Sequence, residues 1–221
     1  MKKTAILLAL VGFASFSAAQ PAYLLRIKAK PGQAYKYKMD IDQGTTAKIG
    51  MNMTMKVTKV QKGETTINTT MGAFTMNGQP APAQIADQMK KLLIVSVMDA
   101  RGRTLRTETK GLQGFSGAAN QGNTVPYPEK PVKVGGTWTG EAEMRGTKVK
   151  TSYKLVGVKA VAGRQAAVIH AVPSNMPGLK LSGPIVFSVE LATGFPISMS
   201  MSGTATQGTA TQKIKMTMLR V

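Results

Sequence analysis

Apolar and polar residues alternate along five segments of the chain. These segments are residues 35–41, 51–57, 149–155, 197–201 and 214–218. Because successive side chains of a β-strand point to opposite faces, the alternation predicts half-buried antiparallel strands. Each strand then contributes one apolar row and one polar row to a sheet.

Turn residues divide the chain into eleven predicted strands. They span residues 34–43, 48–60, 64–77, 93–99, 103–109, 137–145, 147–161, 164–172, 184–191, 195–205 and 210–220. One helix is predicted over residues 82–93, where Ile85, Met89 and Leu92 share a face. Residues 173–184, rich in proline and glycine, predict a loop at the corresponding place further along.

Several short motifs occur twice, in the same order. The first motif, residues 31–35, is similar to residues 135–138. The second, residues 57–63, is similar to residues 158–163, and the third, residues 95–102, is similar to residues 187–194. The repetition predicts two similar halves, at about residues 24–110 and 132–221. A linker rich in glycine and proline, residues 111–136, joins them, and its prolines favour an extended conformation.

A sheet this long, apolar on one side and polar on the other, cannot remain flat. We therefore expect a mainly β fold in which an antiparallel sheet curls into a half-barrel or open barrel. The short helix is expected against the concave face. Two sheets packed face to face remain the alternative architecture.

The first nineteen residues have the layout of a cleavable secretory signal. Lys2 and Lys3 precede an apolar run over residues 6–16, and small residues at 17–19 predict cleavage after Ala19. Residues 20–221 are then expected to form a single domain in a secreted or periplasmic protein. No other segment is long and apolar enough to predict an integral membrane protein. Cysteine is absent, which excludes disulfides and a cysteine-linked lipid anchor.

Basic residues strongly outnumber acidic ones. Two of the 29 basic residues lie in the signal, so the remaining chain carries 27 basic and 10 acidic residues, a net charge of +17. This charge favours an anionic membrane or cell-wall polymer as a partner. The lysines are scattered and aromatic residues are few, so nucleic acid is not expected. A solvated sheet face rich in lysine is the simpler interpretation.

The residues that catalysis usually requires are scarce. His170 is the single histidine, and it lies in a strand pattern typical of a structural residue. Two carboxylate pairs, Asp40 with Asp42 and Glu141 with Glu143, each share a strand face, but neighbouring lysines favour salt bridges over a calcium or acid–base site. We expect a non-enzymatic protein with no catalytic residues, no metal site and no cofactor.

Methionine is unusually frequent, with fifteen residues, and several recur as Met-x-Met. The candidate ligand-binding residues are Met39, Met51, Met53, Met55, Met89, Met199, Met201, Met216 and Met218. Because the spacing places the strand methionines on the interior face, they either pack the core or line an adaptable apolar pocket. Thioethers are also soft ligands for Cu(I), a less favoured alternative because cysteine and further histidines are missing.

The motifs Pro31-Gly32-x-x-Tyr35, Val57-x-x-Val60-x-x-Gly63 and Val134-Gly135-Gly136-Thr137-Trp138 resemble those of a family of uncharacterised secreted bacterial β proteins. With the signal, the curled sheet and the helix, the chain is also loosely similar to lipoprotein-carrier-like envelope proteins with a half-barrel. The resemblance covers about residues 24–220 and supplies no functional residues.

These observations predict an exported cell-envelope protein that binds a hydrophobic or lipid-like ligand on a Met-lined concave face. The alternative from another class is a structural or polyanion-binding module without a cavity. Cu(I) binding through the Met-x-Met strands is the third hypothesis.

Overall fold

The computed structural model describes residues 20–111, 125–144, 147–176, 178–207 and 210–221. The predicted signal segment and residues 112–124 of the predicted linker lie outside the described residues.

Fifteen strands and one helix are found in the described part of the chain. They are β1 Ala22–Tyr23, β2 Ala34–Asp42, β3 Lys48–Gln61, β4 Glu64–Met76, β5 Gln79–Pro80, α1 Ala83–Lys91, β6 Leu93–Asp99, β7 Thr104–Lys110, β8 Val132–Lys133, β9 Thr137–Met144, β10 Thr147–Val161, β11 Arg164–Pro173, β12 Leu179–Leu181, β13 Ile185–Glu190, β14 Pro196–Gln207 and β15 Ala210–Arg220. All eleven predicted strands are present, and four short ones are added. One of these, β12, lies where a loop was predicted, because three of its residues pair with β14.

Thirteen strands form one antiparallel sheet. Its order is β7-β6-β4-β3-β2-β15-β14-β13-β11-β10-β9, with β5 beside β4 and β12 beside β14. The strands β7 and β9 lie at opposite ends of this order, so the sheet is open rather than closed into a barrel. The predicted mainly β fold, a curled antiparallel sheet with one short helix, is confirmed.

Corresponding turns of the two predicted halves have the same backbone conformation. Gly32 and Gly135 both have φ of +86°, and their N–H groups donate hydrogen bonds to the carbonyls of Val57 and Leu155. The register of β3 with β4 shifts just after Val57, and that of β10 with β11 shifts just after Leu155. The division into two repeat halves stays a prediction, and these matched turns and bulges support it.

The helix α1 lies between β5 and β6 and contacts β4. It begins after Pro82, and two lysines in its last turn interact favourably with the negative end of the helix dipole. No residue of the helix is buried, whereas Leu92, directly after it, is 1% exposed. No helix in the described residues is long and apolar enough to cross a membrane.

The main core lies on one face of the sheet, which we call the apolar face. Two extended segments pack over part of this face, and we call residues 24–33 and 125–136 the covering segments. Their buried residues in the core cluster are Leu25, Ile27, Val125, Tyr127 and Val132. The chain just before the first segment pairs with the second through β1 and β8. The core is therefore completed by irregular chain, and α1 contributes no residue to this cluster.

Candidate functional site

The apolar face changes from buried to half-buried at nearly the same level in four neighbouring strands. In β2, Tyr37 and Met39 are 0% and 8% exposed, whereas Ile41 is half-buried. The same step occurs at this level in β14 and β15, and in β3 it occurs one residue pair earlier, because half-buried Met51 lies opposite buried Met39. Its buried and half-buried members are Met53 and Met51, Met199 and Met201, and Met218 and Met216. Beyond this level, apolar side chains of the sheet are partly accessible to solvent.

Strand register aligns these side chains in two neighbouring rows. The inner row consists of Phe187, Met199, Met218, Met39, Met51 and Phe74, each directly opposite the next. The outer row consists of Met201, Met216, Ile41, Ile49 and Met76. We call the half-buried members the open band: Ile41, Ile49, Met51, Phe74, Phe187, Met201 and Met216. Because opposite Cβ atoms are about 4.5–5.5 Å apart, the band is continuous from β14 to β4, and Phe187 lies diagonally beside Met201 and extends it to β13.

An open groove continues the apolar surface beyond the open band. It has a volume of about 550 Å³ and surrounds β12, and its apolar lining is Val172, Met176, Leu179, Leu181 and Pro184. Leu181 pairs with Gly203 of β14, two residues beyond Met201 on the same face. The groove therefore lies beside β14, with Leu181 opposite a residue two positions from Met201.

Two similar corners of the sheet hold the first covering segment in place. The N–H of Ile27 donates to the carbonyl of Ala100, and that of Lys28 donates to the carbonyl of Thr193, both at 2.8 Å. Gly194 follows the second corner with φ of +74°, and an added Cβ there would lie 2.2 Å from a carbonyl oxygen of the covering segment. This close approach is possible because glycine has no side chain.

A buried ion pair lies at the covered end of the sheet. Arg220, with a side chain 4% exposed, donates to Glu190 at 2.9 Å and lies 5.2 Å from the centre of the Tyr35 ring. Burial raises the pKa of Glu190, but hydrogen bonds from Thr193 and Arg220 and the nearby charge of Arg164 outweigh burial and hold this pKa below its usual value. This end of the sheet is therefore packed and electrostatically fixed.

Eight of the nine candidate methionines lie on the apolar face. Met39, Met53, Met55, Met199 and Met218 belong to the buried core, and Met51, Met201 and Met216 pack against it while half-buried. Met89 differs from the other eight because it lies on α1, outside the core cluster. A role of these residues in ligand binding stays a prediction.

Some members of the apolar surface were not among the candidates. Met71 packs against the core, and Phe74 and Phe187 end the inner row. The alternation in β4 could have found Met71, since it follows Ile67 with the same period. Phe74 was harder to place because the register of β3 with β4 shifts between the pairs of Met51 and Met53.

The carboxylates of β2 form salt bridges with lysines, as predicted. Asp40 lies 3.4 Å from Lys38, and Asp42 lies 3.9 Å from Lys48. Glu141 is exposed in β9, opposite Lys150, whereas the side chain of Glu143 lies outside the description. Among the described residues, no three histidine or acidic side chains converge as a metal site would require.

Exposed lysines occupy the opposite face of the same strands, which we call the polar face. Lys36 and Lys38 in β2, Lys56 in β3, and Lys213 and Lys215 in β15 alternate with residues of the apolar face. Of these five, Lys38 has an ion pair, and the other four have none among the described residues. His170 lies half-buried on the polar face, opposite Lys154 and Val186.

No family model matches the sequence, and no curated protein matches it either. Among solved structures, the complex of MucA and MucB from Pseudomonas aeruginosa is similar at a TM-score of 0.33 and 14% identity, covering 82% of this chain and 50% of that one. A putative outer membrane lipoprotein-sorting protein domain from Vibrio parahaemolyticus has a TM-score of 0.30 and 7% identity, covering 88% and 85%. A DUF1329 family protein from Desulfovibrio piger has a TM-score of 0.30 and 9% identity, covering 85% and 82%.

The predicted loose resemblance to lipoprotein-carrier-like proteins agrees with the loose structural similarity of this chain to the lipoprotein-sorting protein domain. The chain spans half the length of the Pseudomonas chain that it matches. Similarity of this degree does not extend to ligands or activity, so a function must be argued from the site itself.

Proposed function

We propose that this protein is an exported, non-enzymatic envelope protein that binds an apolar, lipid-like ligand along the open band. The observation that carries the proposal is that four neighbouring strands change from buried to half-buried on the same face, three of them at one level and β3 one residue pair earlier. Apolar side chains beyond that level lose favourable burial, at about 25 cal/mol per Å² of exposed apolar surface. A ligand that covers the band would recover this free energy.

The shape of the surface favours an elongated ligand. The open band has members in six strands, and the groove of about 550 Å³ lies beside β14, near Met201. This volume is within the range of ordinary ligand pockets. Methionine side chains are flexible and polarizable, so they adapt to ligands of differing shape. An acyl chain or a similar hydrocarbon fits this surface better than a compact polar molecule.

The ligand can be sought on the protein purified from an exporting host. Native mass spectrometry should detect a bound mass that dissociates on denaturation, and solvent extraction should recover it as a lipid. Ligand-free protein from several hosts, together with no uptake of a fluorescent fatty acid, would contradict the proposal.

A second candidate function is binding to a polyanion or anionic surface. The observation that favours it is the row of lysines without ion pairs on the polar face, among them Lys213 and Lys215. This module would bind heparin or anionic vesicles in a salt-sensitive manner, because counterions compete for exposed charges. The double variant Lys213→Gln, Lys215→Gln should elute from heparin at lower salt, whereas Met201→Leu should elute unchanged. Equal elution of both variants and the parent would exclude this role for the two lysines.

A further inference from the structure

Two Met-x-Met runs face each other in the hairpin of β14 and β15. The register places Met199 opposite Met218 and Met201 opposite Met216. Opposite Cβ atoms are about 4.5–5.5 Å apart, and side chains two residues apart along a strand are about 6.8 Å apart. The Cβ atoms of these four methionines thus occupy the corners of a small rectangle, and each flexible side chain can turn its sulfur toward the centre.

The rectangle has a buried side and an accessible side. Met199 and Met218 are 7% and 2% exposed, whereas Met201 and Met216 are half-buried. An ion could therefore enter from the accessible pair and be held against the buried pair. Met39 lies beside Met218 in the next strand and adds a further thioether at the buried side.

Ordinary core packing does not require this concentration of sulfur. In β10 and β11, the buried positions of the same face are filled by Val149, Tyr153, Leu155 and Ile169. The methionine rows instead occupy β14, β15, β2 and β3, which are adjacent in the sheet although they come from distant parts of the chain. The hairpin brings the runs of β14 and β15 together, and the sheet order places β2 and β3 beside β15.

We infer that Met199, Met201, Met216 and Met218 form a binding site for a soft monovalent cation, Cu(I). Thioether sulfur is a soft, neutral ligand that favours Cu(I) over hard divalent ions. Three or four sulfurs at this spacing satisfy the low coordination number of such an ion. The site goes beyond the proposed binding of an apolar ligand and does not depend on it.

An anaerobic titration can test this site on the processed protein. Cu(I) is supplied as a complex with a chromogenic chelator, and its transfer to the protein is followed by the loss of the chelator's absorbance. We expect one ion to be bound per chain. In Met201→Leu with Met216→Leu, which keeps apolar volume but removes two sulfurs, the affinity should fall roughly tenfold or more. The control is Met89→Leu with Met176→Leu, two methionines outside the rows, and it should bind like the parent.

Silver(I) gives an independent readout through methionine methyl groups labelled with ¹³C. The methyl signals of the four methionines should shift together, while those of Met89 and Met176 stay in place. No transfer of Cu(I) to the parent, or equal affinity in the Met201→Leu, Met216→Leu variant, would overturn the inference. Cu(I) transfer is measured without any lipid, and the uptake of a fluorescent fatty acid by the parent is measured separately, so either result can fail alone. The failure of the metal site is therefore distinguishable from the failure of the proposed function.

Discussion

The covered and open parts of the apolar face belong to the same strands and have the same alternation, yet their burial differs. Met53 and Met51 lie two residues apart in β3, one of them 3% exposed and the other half-buried. The difference arises from chain outside the sheet, since the covering segments add apolar side chains to one part of the face. Periodicity therefore determines which face is apolar, and the covering segments determine how much of it remains accessible.

The covered and open parts of the apolar face should differ in whether a substitution affects stability or ligand binding. Residues under the covering segments make close-packed contacts, so their replacement should lower the free energy of unfolding substantially. Residues of the open band lack part of those contacts in the free protein. We expect their replacement to change ligand binding more than stability.

The largest expected effect concerns the ion pair at the covered end. Glu190→Ala should lower the free energy of unfolding at pH 7 by about 3–5 kcal/mol, because it leaves the buried Arg220 without its carboxylate partner. The matched control is Glu129→Ala, which removes a 77% exposed carboxylate from its pair with Arg101 and should cost less than about 1 kcal/mol. Urea unfolding of both variants measures the difference in the free energy of unfolding. Equal losses would show that the buried ion pair stabilises the fold no more than the exposed one.

The ion pair of Glu190 and Arg220 also predicts how the free energy of unfolding depends on pH. The pKa of Glu190 is lower in the folded protein than its ordinary value of 4.5, so the folded state binds fewer protons than the unfolded state. Its contribution is present above about pH 4.5 and is lost as the pH falls through the lower folded pKa. The unfolding free energy of the parent should fall more steeply below pH 5 than that of Glu190→Ala.

Truncating methionine on either side of the boundary compares the two parts directly. Met53→Ala in the covered part should lower the free energy of unfolding by about 2 kcal/mol or more, through lost contacts and a cavity. Met201→Ala in the open band should cost under about 1 kcal/mol, because its side chain is half-buried. Chemical denaturation of both variants checks this, and similar costs would show that the boundary has no energetic meaning.

Two glycines with the same backbone conformation test how tightly the first covering segment is held against its corner. Gly194 and Gly163 have φ of +74° and +73°, but a Cβ at Gly163 would meet nothing within 4 Å. Gly163→Ala should cost about 1–2 kcal/mol, from conformation alone. Gly194→Ala should cost roughly 1–3 kcal/mol more, because the corner must move away from the covering segment. Thermal unfolding of the two variants measures the additional loss of stability in Gly194→Ala. If the two variants lose the same stability, the covering segment is held loosely at this corner.

Much of the fold could be predicted from the sequence because local signals agree. Alternation located the long strands, glycine marked the corners, and the stripe of Ile85, Met89 and Leu92 located the helix within one or two residues. The methionines of β2, β3, β14 and β15 could be assigned to a common face for the same reason. These inferences need only the period of a strand or helix.

The packing of the covering segments on the apolar face could not be predicted from local periodicity. Leu25, Ile27 and Tyr127 lie in segments without a regular period, and their burial depends on hydrogen bonds with corners far along the chain. The paired Met-x-Met runs were visible in the sequence, but their alignment depends on register across β14 and β15. Contacts between segments far apart in the chain, such as that of Ile27 with Ala100, leave no local signal.

The binding of a fluorescent fatty acid to two lysine variants of β14 shows which face of the sheet carries the ligand. Met201→Lys places a charge in the open band, whereas Ser200→Lys places the same charge one residue away, on the polar face. If the open band is the binding surface, Met201→Lys should weaken binding by roughly tenfold or more, while Ser200→Lys should bind as the parent does. Equal binding by the parent and both variants would contradict a ligand site on this face.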